Sequence, residues 1–142
     1  MSHPSPSFES VALGDELPEQ VIPLSASLIV GGALASRDFT PVHHDPAAAR
    51  ATGVQDVFMN ILTTNGLVGR YVTDWAGIDA RVKELAVRLG APNLPGDRMT
   101  LTGKVVARDE AAHTVEVEIA GRNAWGQHVT GRVKVALPDG AR

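Results

Sequence analysis

Apolar residues recur at helical spacing between positions 61 and 76. Ile61, Val68, Val72 and Trp75 share one face of a 3.6-residue repeat, so the segment predicts one helix. Its intrinsic propensity is poor, since it also contains Thr63, Thr64, Asn65, Gly66 and Gly69. We therefore expect this helix to be held by packing against other elements.

The second half of the chain alternates between apolar and polar residues, as strands with one buried face do. Four such segments follow Gly77, at residues 84–89, 99–105, 115–119 and 128–135. Residues 109–112 and 123–126 have the composition of tight turns between the later strands. One polar face on each strand predicts an antiparallel sheet.

The N-terminal part of the chain has weaker patterns. Residues 1–10 are rich in Ser and Pro and predict a disordered lead-in, which leaves one folded domain over 11–142. The stretch up to Pro23 suits a short edge segment, because proline removes a donor from the sheet. Residues 24–30 fit a strand or the start of a helix equally well.

A short helix is predicted after Asp45, which would cap it, with Pro46 at its first position and Gly53 beyond its end. The order is then helical material, one central helix and a meander of strands, which is an α+β arrangement. A single antiparallel sheet wrapped around the central helix, the hotdog fold, is the compact solution that fits this order.

Composition narrows the classes of function. The 142 residues suit one domain, and the absence of Cys excludes disulfides, thiolate metal sites and a cysteine nucleophile. The net charge of −3 argues against binding to nucleic acid. No apolar run reaches the ~18 residues of a membrane span, and no signal-peptide pattern is present. We therefore expect a cytoplasmic protein.

The segment 36–45 contains two carboxylates and two imidazoles, and its sequence has neither the helix nor the strand periodicity. Asp38 and His43 are five residues apart, and Pro41 between them turns the chain, so both side chains can meet at one point. A carboxylate beside an imidazole is the smallest set of side chains that can bind a water molecule and remove its proton. A loop on a rigid scaffold is also where functional residues concentrate.

Structural readings of the same residues remain open. Asp45 is expected to act as the helix cap, His44 as a solvated neighbour, and an isolated Asp/His pair is often structural. We predict no metal site, because adjacent residues of a turn point in different directions. His113 and His128 lie in or beside strands, and His128 is predicted to face outward.

The run 38–45, Asp-Phe-Thr-Pro-Val-His-His-Asp, resembles the hydratase motif of the MaoC-like (R-specific) enoyl-CoA hydratases, Asp-Phe-(Asn or similar)-Pro-(apolar)-His-x-Asp. It stands where that family has it, just before the central hotdog helix. Residues 57–63 and 70–77 are further similar to the small, motif-bearing subunit of the actinobacterial heteromeric steroid enoyl-CoA hydratases.

The resemblance implies roles for particular residues. Asp38 and His43 match the catalytic dyad that adds water to a trans-2-enoyl thioester, and the backbone N–H of Ile61 matches the oxyanion donor. The chain has Asn60-Ile61 where the family commonly has His-Gly. Asn60 and Gly66 are candidates for the substrate pocket. No cofactor is implied, since coenzyme A is part of the substrate.

The resemblance also implies a partner, a second MaoC-like chain in an α2β2 heterotetramer. Two alternatives are a homodimeric hydratase or dehydratase for fatty acyl thioesters and a non-catalytic hotdog subunit. A hotdog thioesterase is disfavoured, because the central helix has no carboxylate before Asp74.

Overall fold

The computed structural model describes residues 5–140, which form three helices and five strands. The helices are α1 (Ala26–Ala35), α2 (Pro46–Ala51) and α3 (Ile61–Ala76). The strands are β1 (Glu16–Pro23), β2 (Arg81–Leu89), β3 (Arg98–Asp109), β4 (Thr114–Asn123) and β5 (Gly126–Ala136). None of the described helices is long and apolar enough to cross a membrane.

The five strands form one antiparallel sheet in the order β1-β3-β4-β5-β2. The four predicted strands and the turns between β3, β4 and β5 are confirmed. The expected edge segment is also confirmed, because β1 lies at one edge and ends at Pro23. A bulge between Leu17 and Gln20 interrupts the pairing of β1.

Helix α3 spans the predicted residues and packs against the sheet. Val68, Tyr71 and Val72 are buried in the same core as Val117 and Val133 of β4 and β5. Burial of each such side chain contributes about 1.5–3 kcal/mol, which outweighs the poor helix propensity of the segment. The predicted α+β hotdog arrangement is confirmed.

The two shorter helices begin at side-chain caps. The undecided segment 24–30 enters α1, because the Ser25 hydroxyl accepts a hydrogen bond from the Leu28 N–H at 3.0 Å. Asp45 caps α2 as predicted and accepts from the N–H groups of Ala47 and Ala48. The chain then turns at Gly53, whose φ is +92°.

The expected disordered lead-in, residues 1–10, is corrected where the structure describes it. Residues 1–4 lie outside the described part, but Phe8–Ser10 form a 3-10 turn and Phe8 is buried in the core. Phe8 stacks on His113, and the Arg108 guanidinium lies 4.2 Å from the centre of the Phe8 ring. The Ser- and Pro-rich composition predicted disorder, but the large Phe8 side chain packs in the core and holds the segment in place.

Candidate active site

The predicted dyad forms at the loop after α1. The Asp38 N–H donates to the Ala33 carbonyl at 2.9 Å, and Pro41–His43 form a 3-10 turn that brings the imidazole back. As a result, His43 Nε2 lies 3.2 Å from Asp38 Oδ2. The imidazole is buried and the carboxylate is partly exposed, so the pair borders solvent.

Hydrogen-bond donors surround the Asp38 carboxylate. The Thr40 hydroxyl donates to Oδ1 at 2.7 Å and the Thr40 N–H donates to the same oxygen at 3.2 Å. Asn60 Nδ2 donates to Oδ2 at 3.1 Å. These bonds, with a smaller effect from the charge of His43, lower the pKa of Asp38 from 3.8 to about 2. Asp38 is therefore a carboxylate at neutral pH.

The orientation of His43 is set by a backbone carbonyl. His43 Nδ1 lies 2.7 Å from the Phe58 oxygen, which can only accept, so Nδ1 carries the proton and donates. The Phe58 ring also contacts the imidazole edge-on, with ring centres 5.0 Å apart. In neutral His43, Nε2 is then an acceptor that faces the Asp38 carboxylate.

Asn60 joins the dyad to α3. Its Oδ1 accepts from the Thr63 N–H at 3.0 Å and the Thr63 hydroxyl at 2.6 Å, which caps the helix. This assigns Nδ2 to the other side, where it donates to Asp38 and, at 2.9 Å, to the Ser36 hydroxyl. The Asn60 side chain is buried, and its amide holds the Asp38 carboxylate in position. Its place in the substrate pocket stays a prediction.

The remaining predicted residues lie along α3. Ile61 is its first residue, and a first-turn N–H has no acceptor within its own helix. Gly66 is exposed and borders a groove of about 410 Å³ between α1 and α3. The groove is lined by small and apolar residues near Ser36 and Thr63 and ends at Arg70.

Close approach of the two helices depends on Gly32 of α1. A Cβ at this position would lie 2.2 Å from the Thr63 hydroxyl oxygen. The absent side chain therefore allows Thr63 to lie against α1 while its hydroxyl donates to Asn60, whose amide contacts Asp38.

Several contributing residues were not recognised from the sequence. Thr40, two residues after Asp38, has the spacing of a local side-chain turn, which was the available signal. Nothing in the sequence pointed to Ser36 or to the Phe58 carbonyl. His128 is buried, so its predicted outward orientation is wrong.

A bulge explains the orientation of His128. Gly121 of β4 pairs with Val129 and Arg122 pairs with Gln127, which leaves His128 as an extra residue on β5. Because alternation is broken there, His128 and Val129 both face the core.

A second imidazole–carboxylate cluster lies where the N-terminal turn, the β3–β4 turn and the C-terminal segment meet. Among the described residues, Glu9, His113 and Asp139 are the three potential metal ligands that come within 4.8 Å of one another. Each already has a protein partner: His113 Nδ1 contacts Asp139, and Glu9 accepts from the Gly140 N–H. The cluster ties the two ends of the described chain together.

Solved structures show which fold this domain has. The (R)-hydratase PhaJ1 of Pseudomonas aeruginosa is 19% identical and matches 96% of this chain and 88% of its own, with a TM-score of 0.86. The (R)-hydratase of A. caviae is 23% identical and matches 92% and 99%, with a TM-score of 0.84. At these identities the likeness shows the fold, which is that of the hotdog hydratases.

Sequence comparison then gives the family. Residues 10–124 match the family described as "MaoC like domain". The 3-oxo-4,17-pregnadiene-20-carboxyl-CoA hydratase beta subunit of Mycobacterium tuberculosis is 46% identical over 89% of this chain and 97% of its own. The chain belongs to the MaoC-like family.

A complex provides the third comparison. The crystal structure of the ChsH1-ChsH2 complex of M. tuberculosis contains a chain that is 44% identical, with a TM-score of 0.86 over 89% of this chain and 98% of that one. The predicted hydro-lyase class and the predicted resemblance to steroid hydratase subunits are confirmed by these matches.

Proposed function

We propose that the chain is the dyad-bearing subunit of an enoyl-CoA hydratase that adds water to a steroid side-chain trans-2-enoyl-CoA. The observation that carries the proposal is the 3.2 Å approach of Asp38 Oδ2 to His43 Nε2, with the proton of His43 held on Nδ1. The substrate class is supported by the 46% identity to a pregnadiene-carboxyl-CoA hydratase subunit.

The dyad presents two acceptors to a single water molecule. Neutral His43 Nε2 and the Asp38 carboxylate both need a donor, and the two O–H groups of one water can satisfy them. As the water oxygen bonds to Cβ of the enoyl group, Nε2 takes the proton. The imidazolium, stabilised by Asp38, then returns that proton to Cα on the same face.

The developing enolate needs a donor at the thioester oxygen. The Ile61 N–H lies at the start of α3, next to Asn60, where the helix dipole also favours negative charge. We assign this N–H as the oxyanion donor. Being a backbone group, it serves equally with Ile or Gly at this position.

The acyl group is assigned to the groove between α1 and α3. This groove begins near Ser36 and Thr63, both of which contact Asn60, and Gly66 leaves its wall open. The α3 residues that line the groove run from Leu62 to Arg70, a length of roughly 12 Å at about 1.5 Å per residue, which suits a fused ring system better than a short chain.

A partner is proposed from the apolar surface around the dyad. Phe39, Ile61 and Leu62 are 61%, 47% and 48% exposed, which is costly for large apolar side chains clustered at one site. A second MaoC-like chain in an α2β2 assembly would cover them, as the "beta subunit" name of the relative supports. A homodimer is the alternative. A cytoplasmic location also remains part of this proposal.

Hydration assays test the proposal. The chain is purified alone and with a co-expressed MaoC-like partner, and loss of enoyl-thioester absorbance is followed with a steroid C22 enoyl-CoA and with crotonyl-CoA. We expect activity on the steroid only with the partner. Activity of the lone chain on crotonyl-CoA would instead support the homodimeric hydratase, and binding of CoA thioesters without turnover would support the non-catalytic subunit.

Variants locate the activity in this chain. Asp38→Asn and His43→Ala should each lower kcat by about 10²–10⁴-fold while the complex still assembles. Asp45→Asn is the matched control, since it removes a carboxylate from the same loop but keeps a good cap for α2. Near-normal hydration by either dyad variant would show that the dyad is assigned wrongly.

A further inference from the structure

The His128 imidazole is buried under the first turn of α3, and both of its nitrogens have partners. The side chain is 2% exposed, Nδ1 lies 2.7 Å from the Ala91 carbonyl oxygen, and Nε2 lies 2.9 Å from the Thr64 hydroxyl. Thr64 itself is fully buried. The hydration mechanism above makes no use of either side chain.

The direction of these two bonds follows from the carbonyl. The Ala91 oxygen can only accept, so Nδ1 carries a proton and donates to it. In the neutral ring, Nε2 must then accept from the Thr64 hydroxyl. Burial lowers the pKa of His128, which favours the neutral ring, so Nε2 remains the acceptor of the bond from Thr64.

The loop between β2 and β3 connects this pair to the residues that precede α3. Its Ala91 carbonyl holds His128, while its Asn93 carbonyl accepts from the Met59 N–H at 3.1 Å. The loop is fixed in turn, because Asn123 Nδ2 donates to the Asn93 side-chain oxygen at 2.9 Å. One rigid loop therefore holds α3 both just before its start and within its first turn.

The first turn of α3 contains the Ile61 N–H that we assign as the oxyanion donor, and it follows the cap residue Asn60. The Thr64 N–H donates to the Asn60 carbonyl at 3.2 Å, and the Thr63 N–H donates to Asn60 Oδ1 at 3.0 Å, which caps the helix. A shift or rotation of Thr64 consequently moves the Asn60 amide and the Ile61 N–H relative to the dyad. Misplacement of about 1 Å in such groups can lower a rate by about 10²-fold.

We propose that Thr64 and His128 are positioning residues, whose buried hydrogen bond locks the first turn of α3 so that the Ile61 N–H and the Asn60 amide are aligned with the dyad. The inference rests on the proposed hydratase function for its effect on rate. The bulge in β5 that turns His128 inward is the structural device that makes this bond available.

The test replaces the Thr64 hydroxyl in the assembled complex. Thr64→Val keeps the shape and removes the donor, and we expect kcat on the enoyl-CoA to fall about 10-fold or more with KM changed less than threefold. Thr64→Ser keeps the donor and should retain kcat. Thr73→Val is the control on the same helix, since that hydroxyl donates to the Arg70 carbonyl of its own helix.

A double variant separates positioning from stability. The double variant of Thr64→Val and His128→Leu removes both partners of the bond, and His128→Leu by itself leaves the Ala91 carbonyl without its donor. Thr64→Val should therefore lower the melting temperature less in the His128→Leu background than in wild type, because no unpaired ring nitrogen remains. We expect the kcat of the double variant to stay low. A kcat near wild type in the double variant, an unchanged kcat in Thr64→Val, or an equal loss in Thr64→Ser would each overturn the proposal.

Amide hydrogen exchange provides a readout that does not depend on turnover. Faster exchange of the Thr63 and Thr64 amides in Thr64→Val than in wild type would support the locked turn, and unchanged exchange would overturn it. An inactive wild-type complex would contradict the proposed hydratase function, and the exchange measurement would then decide on the positioning pair by itself.

Discussion

Asn60 Nδ2 donates to Asp38 Oδ2 at 3.1 Å, so the residue that caps the central helix also holds the carboxylate of the dyad. One amide group serves both purposes because its oxygen and nitrogen face opposite partners, Thr63 and Asp38. Asn60 thereby fixes the position of the dyad relative to α3, the helix that carries the assigned oxyanion donor.

Asn60→Asp separates these two roles. Asp caps a helix as well as Asn, but it offers no donor and places a second carboxylate beside Asp38. We expect kcat to fall by about 10–100-fold and the pKa of Asp38 to rise, since like charges disfavour ionisation. Steady-state kinetics against pH, with a melting curve, measure this. A large loss of stability at unchanged kcat would contradict the two-role reading.

Thr40→Val removes the hydroxyl that lowers the pKa of Asp38 most. Because that pKa is depressed in the folded state, the ionised carboxylate stabilises the fold above pH 3.8, and this contribution is lost as pH falls through about 2. In Thr40→Val the loss should begin at higher pH. Acid denaturation of both proteins measures the shift, and Thr40→Ser should behave as wild type.

Gly32→Ala and Gly31→Ala form a matched pair on α1. At Gly32 the new methyl would meet Thr63, so we expect unfolding to become easier by about 1–3 kcal/mol and hydration to weaken. At Gly31 nothing lies within 4 Å, and alanine should stabilise the helix by about 0.5–1 kcal/mol. Urea unfolding compares the two. Equal effects would mean that the α1–α3 approach does not matter.

Gly66→Leu fills the groove assigned to the acyl group. A Cβ at this position meets nothing within 4 Å, so the variant should fold. We expect kcat/KM for the steroid enoyl-CoA to fall by about 10–200-fold, while hydration of any short enoyl-CoA that the wild-type complex accepts stays unchanged. Equal losses on both substrates would place the acyl group elsewhere.

Phe8→Ala tests the anchoring of the N-terminal segment. Removal of a buried aromatic side chain should lower the free energy of unfolding by about 3–5 kcal/mol. Leu13→Ala, at a side chain that is 63% exposed, is the control and should change it by less than about 0.5 kcal/mol. Chemical denaturation gives both values, and similar values would restore the disordered reading of this segment.

Local patterns in the sequence predicted most of the fold. The period of 3.6 marked α3, the period of 2 marked β2 to β5, and Asp45-Pro46 marked the start of α2. These predictions held because each depends on residues that are neighbours along the chain. The prediction of disorder up to residue 10 was wrong because it rested on average composition, which does not show that Phe8 is buried in the core.

The site divides in the same way. The sequence by itself determined the Asp38/His43 pair, because five residues and one proline suffice to bring the side chains together. Only the tertiary structure decided their surroundings: Asn60 reaches Asp38 across 22 residues and Thr64 reaches His128 across 64. The physical reason is that such bonds form only after the helix has packed on the sheet. The bulge in β5 also changes which side chains face the core, and the periodicity of the sequence does not show this bulge.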